Sequence, residues 1–191
     1  GNAFMDAFDA VGDEKYLQVA KSACDFILDD LGWMDYGEAA CLRYYPNAEV
    51  DIHNSSMIGA SLLARVNVLL PEPRYLSMAR RAVLFTVRDQ SPEGAWNYGV
   101  SKKWNWVDSF HTAYVLESLD AYNRYSKSNE FEGALRRGYD FFVKTFFAED
   151  GTPRYYNYKT SPLDIQCASQ GIQTLTKLRA LHPFSFDMAQ R

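Results

Sequence analysis

The sequence predicts an all-α protein, a curved stack of helical hairpins in two layers, and three observations predict it. The first is a threefold repeat. Tyr16, Tyr75 and Phe131 stand 59 and 56 residues apart, and Ala20, Ala79 and Leu135, then Phe26, Phe85 and Phe141, fall in the same register. The second is a parallel register of Asp51, Asp108 and Asp164, 57 and 56 apart, followed in each unit by Leu62, Leu119 or Leu175. The third is that apolar residues inside each unit recur at three- and four-residue steps, the signature of one buried helix face. A repeat of this length is one supersecondary unit that buries its apolar face only against its neighbours.

The elements follow in order. Asn2 to Val11 matches the later part of an inner helix, Ser61 to Leu70, so the chain opens inside a unit. The first unit, residues 14–71, starts with an outer helix whose stripe is Tyr16, Ala20, Ala23, Ile27 and Leu31. The second, 73–128, repeats it with Tyr75, Ala79, Ala82 and Phe85, and the third, 130–183, with Phe131, Leu135, Gly138 and Phe142. Small residues at Ala23, Ala82 and Gly138 are expected to let a neighbouring helix approach closely. A loop rich in Gly, Pro, Asn and Tyr then leads to an inner helix, more apolar than the outer one: Ser56 to Leu70, Thr112 to Tyr125 and Ala168 to Leu181. The repeated Asp stands where a carboxylate caps the free N–H groups of a first turn. Pro71, Pro73 and Pro183 punctuate the helix ends. No β alternation of comparable length competes. Asp187 to Arg191 matches Ser77 to Arg81, the opening of an outer helix. With both ends inside helices, the expectation is a single domain, 1–191, cut from a longer ring, or else a homodimer in which a second copy closes the ring.

Composition bounds the partners. A formal net charge of −4 gives no overall attraction for nucleic acid, and Arg80-Arg81, Lys102-Lys103 and Arg136-Arg137 read as solvated faces. No apolar run is long enough for a membrane span. Cys24, Cys41 and Cys167 show no paired spacing, which favours a reducing, cytoplasmic setting over a disulfide framework. Aromatic residues reach 15%, and many lie in the loops between helices.

One loop carries a resemblance. Arg81-Ala82, Phe85, Gln90, Gly94 and Trp96 fit the pattern [K/R][G/A]xxFxxxxQxxxGxW, which resembles the QW repeat of the terpenoid cyclase and protein prenyltransferase superfamily. The match is degenerate in unit one (Leu31-Gly32-Trp33) and nearly lost in unit three (Gly151-Thr152-Pro153). The resemblance implies an α/α toroid in which the Gln bonds helix ends and the Trp stacks on the loop. Trp106 to Thr112 and Pro162 to Gln170 look more closely like a prokaryotic family of uncharacterised toroid proteins. That resemblance implies a setting in polysaccharide biosynthesis and no particular reaction.

The candidate site lies where the inner helices begin. Asp51, Asp108, His111 and Tyr156 are the acid–base candidates; His53, Asn54, Trp96, Trp104, Trp106, Asp164, Gln166 and Gln170 are the candidates for holding substrate. Carboxylates and imidazoles beside aromatic faces suit a sugar, because rings stack on its apolar face and carboxylates accept its hydroxyls. The bland reading stands beside this: a recurrent Asp can simply cap, His111 can bond a cap, and Trp104 with Trp106 can cover the core. A metal is not expected. Asn54, His111 and Cys167 share a register, but Asp164 and Cys167 are three apart and lack the spacing of a zinc pair, and no matching His follows. No cofactor motif occurs: DDxxD, GxGxxG and GxSxG are all absent. The expected function is therefore a protein that acts on or binds carbohydrate, as a hydrolase, lyase or epimerase-like enzyme if it is an enzyme. A non-catalytic glycan- or protein-binding module and a prenyl or terpenoid-type enzyme are the alternatives.

Overall fold

The computed structural model describes residues 1–182 and Ala189. Seven α-helices carry the described part of the chain: α1 (Asn2–Val11), α2 (Glu14–Asp25), α3 (His53–Asn67), α4 (Pro73–Arg88), α5 (Ser109–Ser126), α6 (Glu132–Thr145) and α7 (Ile165–Lys177). α1, α3, α5 and α7 form the inner layer. α3 packs on α5 and α5 on α7, while α2 and α4 lie against α3 and α6 against α5. The core is continuous between the layers. Ala20, Ala79 and Leu135 are all buried at the shared outer-helix position. The resemblance between residues 187–191 and the start of an outer helix, and the role of Pro183, fall outside the described residues.

Gly138 admits Leu116 of the neighbouring α5, as expected, and a loop ring as well. Its missing side chain makes room for the Trp96 ring from the preceding loop, and an added Cβ would strike that ring first. Trp96 is buried there, and its indole N–H donates to Thr86 O at 2.9 Å. Gln90 stitches the same loop to α6: its amide donates to Gly94 O (3.1 Å) and Ala134 O (3.0 Å), and it accepts from Arg137 Nη2 (2.8 Å).

Two local features depart from an all-helical reading of unit one. The outer helix widens into a π-helical turn over Phe26–Leu31, which Gly32 ends at φ 70°. An antiparallel hairpin follows, β1 (Trp33–Tyr36) with β2 (Ala39–Leu42), in which Trp33 faces Leu42 and Tyr36 faces Ala39. β2 is buried along its whole length against α4, so its sequence shows no in–out alternation. Arg81 of α4 fastens the hairpin by donating to Asp35 Oδ1 (2.7 Å) and to the carbonyls of Gly37 and Ala39.

The inner-helix register of unit one also needs correcting by one residue. The cap positions are Ile52, Asp108 and Asp164, spaced 56 residues apart in both steps. Asp108 accepts from His111 N and Asp164 from Gln166 N, as capping carboxylates do. Asp51 sits one residue too early and caps nothing; its carboxylate takes the Tyr36 hydroxyl at 2.5 Å instead. The equivalent leucines are then Leu63, Leu119 and Leu175, each at most 1% exposed. The residue matching His111 and Cys167 becomes Ser55 rather than Asn54.

Candidate active site at the start of α5

The chain enters α5 as an extended segment clamped on two sides. Ser109 N donates to Tyr155 O (2.9 Å), and Tyr98 N donates to Trp106 O (2.8 Å). Asp108, at φ −130° and ψ 157°, is the cap. Its side chain is fully buried and receives three donors: His111 N on Oδ1 (2.8 Å), and His111 Nδ1 (2.8 Å) and Trp106 Nε1 (3.0 Å) on Oδ2. An ionised carboxylate only accepts, so this contact assigns a hydrogen to Nδ1, and the tautomer that fits it is the one with the lone pair on Nε2. The His111 side chain is 24% exposed. A buried acid that orients an accessible imidazole is the arrangement a general base requires.

Aromatic rings wall the imidazole. Tyr98 stacks on Trp106, centroids 4.8 Å apart and planes 13° off parallel, and lies 4.4 Å from the His111 ring. Trp104 meets both Tyr98 and Trp106 edge-on at 5.7 Å. Burial first, and then Tyr44 and the Asp108 charge, push the Tyr98 phenol up to about 12, so at neutral pH it keeps its proton. Tyr155 is likewise pushed up to about 12, by burial and by Asp108. Between these groups lies a recess of about 10 Å³, roughly one water in size, bordered by His53, Asn54, Trp96, Tyr98, Asp108 and His111. Asn54 Oδ1 is buried there without a hydrogen-bond partner, and so is Trp104 Nε1 in the wall.

Of the other sequence candidates, His53 and Trp96 also border this recess, and the rest lie away from it. Asp51 is spent on Tyr36, and its carboxylate does not border the recess. His53, 1% exposed, turns toward α4: Nε2 meets Asp89 Oδ2 at 2.8 Å and Nδ1 meets Thr86 Oγ1 at 3.3 Å, with Phe85 against its ring. Both nitrogens are occupied, so this histidine joins α3 to α4. Trp96 is a core residue. Tyr156 pairs with Asp108 through the backbone, and its ring stacks on Tyr158 at 5.5 Å under the Lys159 ammonium. Asp164 caps α7, and Gln166 is exposed. Gln170 points along the inner wall, away from the rim, and donates to Glu117 Oε1 at 2.7 Å.

Glu117 is the residue the sequence reading missed. It accepts from Gln170, Gln173 (3.0 Å), Thr174 (2.6 Å) and Lys177 (2.6 Å), four side chains of α7, and so locks α7 to α5. The repeat itself held the signal: Gln173 stands 56 residues after Glu117, at the same register of the next inner helix. Residues one repeat apart on neighbouring inner helices face each other. Among the described residues no group of three or more His, Cys, Asp or Glu side chains converges as a metal would need. The three cysteines are buried and free. Burial raises Cys24 and Cys41 to about 12, which leaves them unreactive. No described helix is long and apolar enough to cross a membrane.

No protein-family description matches the sequence, and no curated protein does. Among solved structures, the chain is similar to a GH76 α-mannanase from Bacteroides thetaiotaomicron, with a TM-score of 0.68 over 91% of this chain and 55% of that one. The fold is an α/α toroid. At 14% sequence identity the likeness concerns the fold alone, and this chain spans about half the length of the mannanase.

Proposed function

We propose that this protein acts on carbohydrate and that His111, held by Asp108, is its proton-transfer group. The observation that carries the reading is the Asp108–His111 pair under the Tyr98–Trp106 stack: an accessible imidazole, fixed by a buried acid, beside aromatic surface. Nε2 takes a proton from a sugar hydroxyl, a ring C–H or a water, and returns it to the leaving oxygen. Asp108 stabilises the imidazolium that forms in between. Those steps serve a hydrolase or a lyase, whereas an epimerase needs a second proton donor on the opposite face of the sugar. Tyr98, protonated at neutral pH and hydrogen-bonded to Tyr44, offers its ring with Trp104 and Trp106 as the apolar wall. The fold it shares with an α-mannanase supports glycan as the substrate class. His53 and Trp96 border the recess with their ring nitrogens already bonded, so in this reading they shape it and do not transfer the proton. The prenyl or terpenoid reading calls for an apolar cavity, whereas the large cleft along the inner wall is lined by Arg65, Glu117, Asp120, Arg124 and Lys177.

The test is turnover of a panel of neutral and acidic oligosaccharides, including α-mannans. Wild type should release or convert product, and Asp108→Asn and His111→Ala should abolish this while their circular dichroism stays native. A wild-type protein that binds glycan through Trp104 and Trp106 but converts none, with Asp108→Asn merely weakening binding, would replace the enzyme with a binding module.

A further inference from the structure

Behind the rim, the inner faces of α1, α3, α5 and α7 enclose a cleft of about 850 Å³, ample for several sugar units. α5 connects it to the rim. Phe110 lies 5.4 Å from the His111 ring and 5.0 Å edge-on from Tyr114 one turn below, and Tyr114 is part of the cleft wall. The cleft is rich in charge, yet the charges are matched. Arg65 is bridged to Asp6 (2.6 Å) and Asp9 (2.7 Å), Lys177 to Glu117 (2.6 Å), and Arg124 to Asp120 (3.4 Å). An anionic ligand would have to displace a carboxylate from each of these cations, and a cation would have to displace an arginine or lysine. An uncharged polyhydroxyl chain meets neither obstacle, because hydroxyls donate to the carboxylates and accept from the guanidinium groups without parting them.

We propose that this cleft is a second carbohydrate subsite that takes an uncharged stretch of a glycan chain, with Tyr114 as its stacking residue. The inference rests on the carbohydrate reading of the rim and narrows it: the substrate is a neutral oligomer that runs from His111 down α5, and not a free acidic sugar.

Calorimetric titration at low salt with mannotetraose, cellotetraose and tetragalacturonate tests it. A neutral tetrasaccharide should bind the wild type more tightly than tetragalacturonate, and Tyr114→Ala should weaken that binding about tenfold. Asp120→Asn strips Arg124 of its carboxylate and should raise affinity for tetragalacturonate about fivefold. Should Tyr114→Ala unfold the chain, Tyr114→Leu keeps the volume without the aromatic face and reads the same loss. Preference for tetragalacturonate, no binding of either neutral probe, or indifference to both Tyr114 variants would overturn the proposal. His111→Ala separates the two readings. Cleft binding that persists in His111→Ala while turnover is lost supports both readings, and cleft binding that persists with turnover unchanged supports the subsite and removes the catalytic claim alone.

Discussion

At the start of α5, Asp108 caps the helix and turns back to grip His111; at the start of α3, Asp51 and His53 part company. Asp51 reaches out to Tyr36 on the hairpin, while His53 is drawn to Asp89 on α4. The chemistry of the two sequences is alike. The difference is spacing. Three residues separate Asp108 from His111, so both lie on one side of the first turn, with the acid at the cap. Only two separate Asp51 from His53, and Ile52 takes the cap between them, held by its bridge to Gly99. One residue of register converts a would-be acid–base pair into two struts that brace the hairpin and α4. It follows that two units can hold the same ingredients and pair them in only one.

Variants at the two helix starts sharpen that contrast, or break it. The largest effect is expected from His111→Ala, with turnover down about 10²- to 10⁴-fold, while His53→Ala leaves the chemical step intact. Comparable losses of kcat in purified, folded samples of both variants would end the distinction. Next comes stability. Asp108→Ala removes the cap and strands the buried Trp106 and His111 N–H groups, at a cost of about 3 kcal/mol, read as a lowered urea midpoint. His53→Ala should cost about 2 kcal/mol through its cavity and the lost Asp89 and Thr86 bonds. Asp51→Ala should cost only about 0.5 kcal/mol, since its one partner is an exposed phenol.

The smallest effect concerns pH. Burial first, then Asp51, raises the Tyr36 phenol above its ordinary value. A group whose folded pKa is raised stabilises the fold fully below its unfolded value of about 10, and that stability is lost as pH climbs beyond it. Asp51→Asn should therefore lower the Tyr36 titration followed by ultraviolet absorbance, and should flatten the alkaline fall in stability. A titration that does not move would place the Tyr36–Asp51 bond outside the energetics of unit one.

Much of the fold was legible because helix faces are local. Ala20, Ala79 and Leu135 announce a buried stripe at three- and four-residue spacing, and burial at all three positions agrees. The hairpin was not legible: β2 is buried on both faces, so Ala39 to Leu42 carry no alternation to read. In the site, Asp108 and His111 are three residues apart and their pairing can be inferred from helix geometry alone. The orientation of His53 cannot, because Asp89, its partner, lies 36 residues downstream on another helix. The one-residue slip at Ile52 escaped for a related reason. An Asp is a strong sign of a cap, and nothing local marks the bridge to Gly99 that moves the cap past it.

Trp96 seated over Gly138 gives the repeats individual identities. The indole of unit two's loop occupies the volume that a side chain on unit three's outer helix would fill, and at the matching positions the outer helices carry Ala23 and Ala82. Units two and three are thus keyed to each other like a tenon and its mortise, so duplicating or shuffling hairpins within this ring would bring an alanine under the indole. Such a fold can vary the loops that carry no such key, but not the order of its parts.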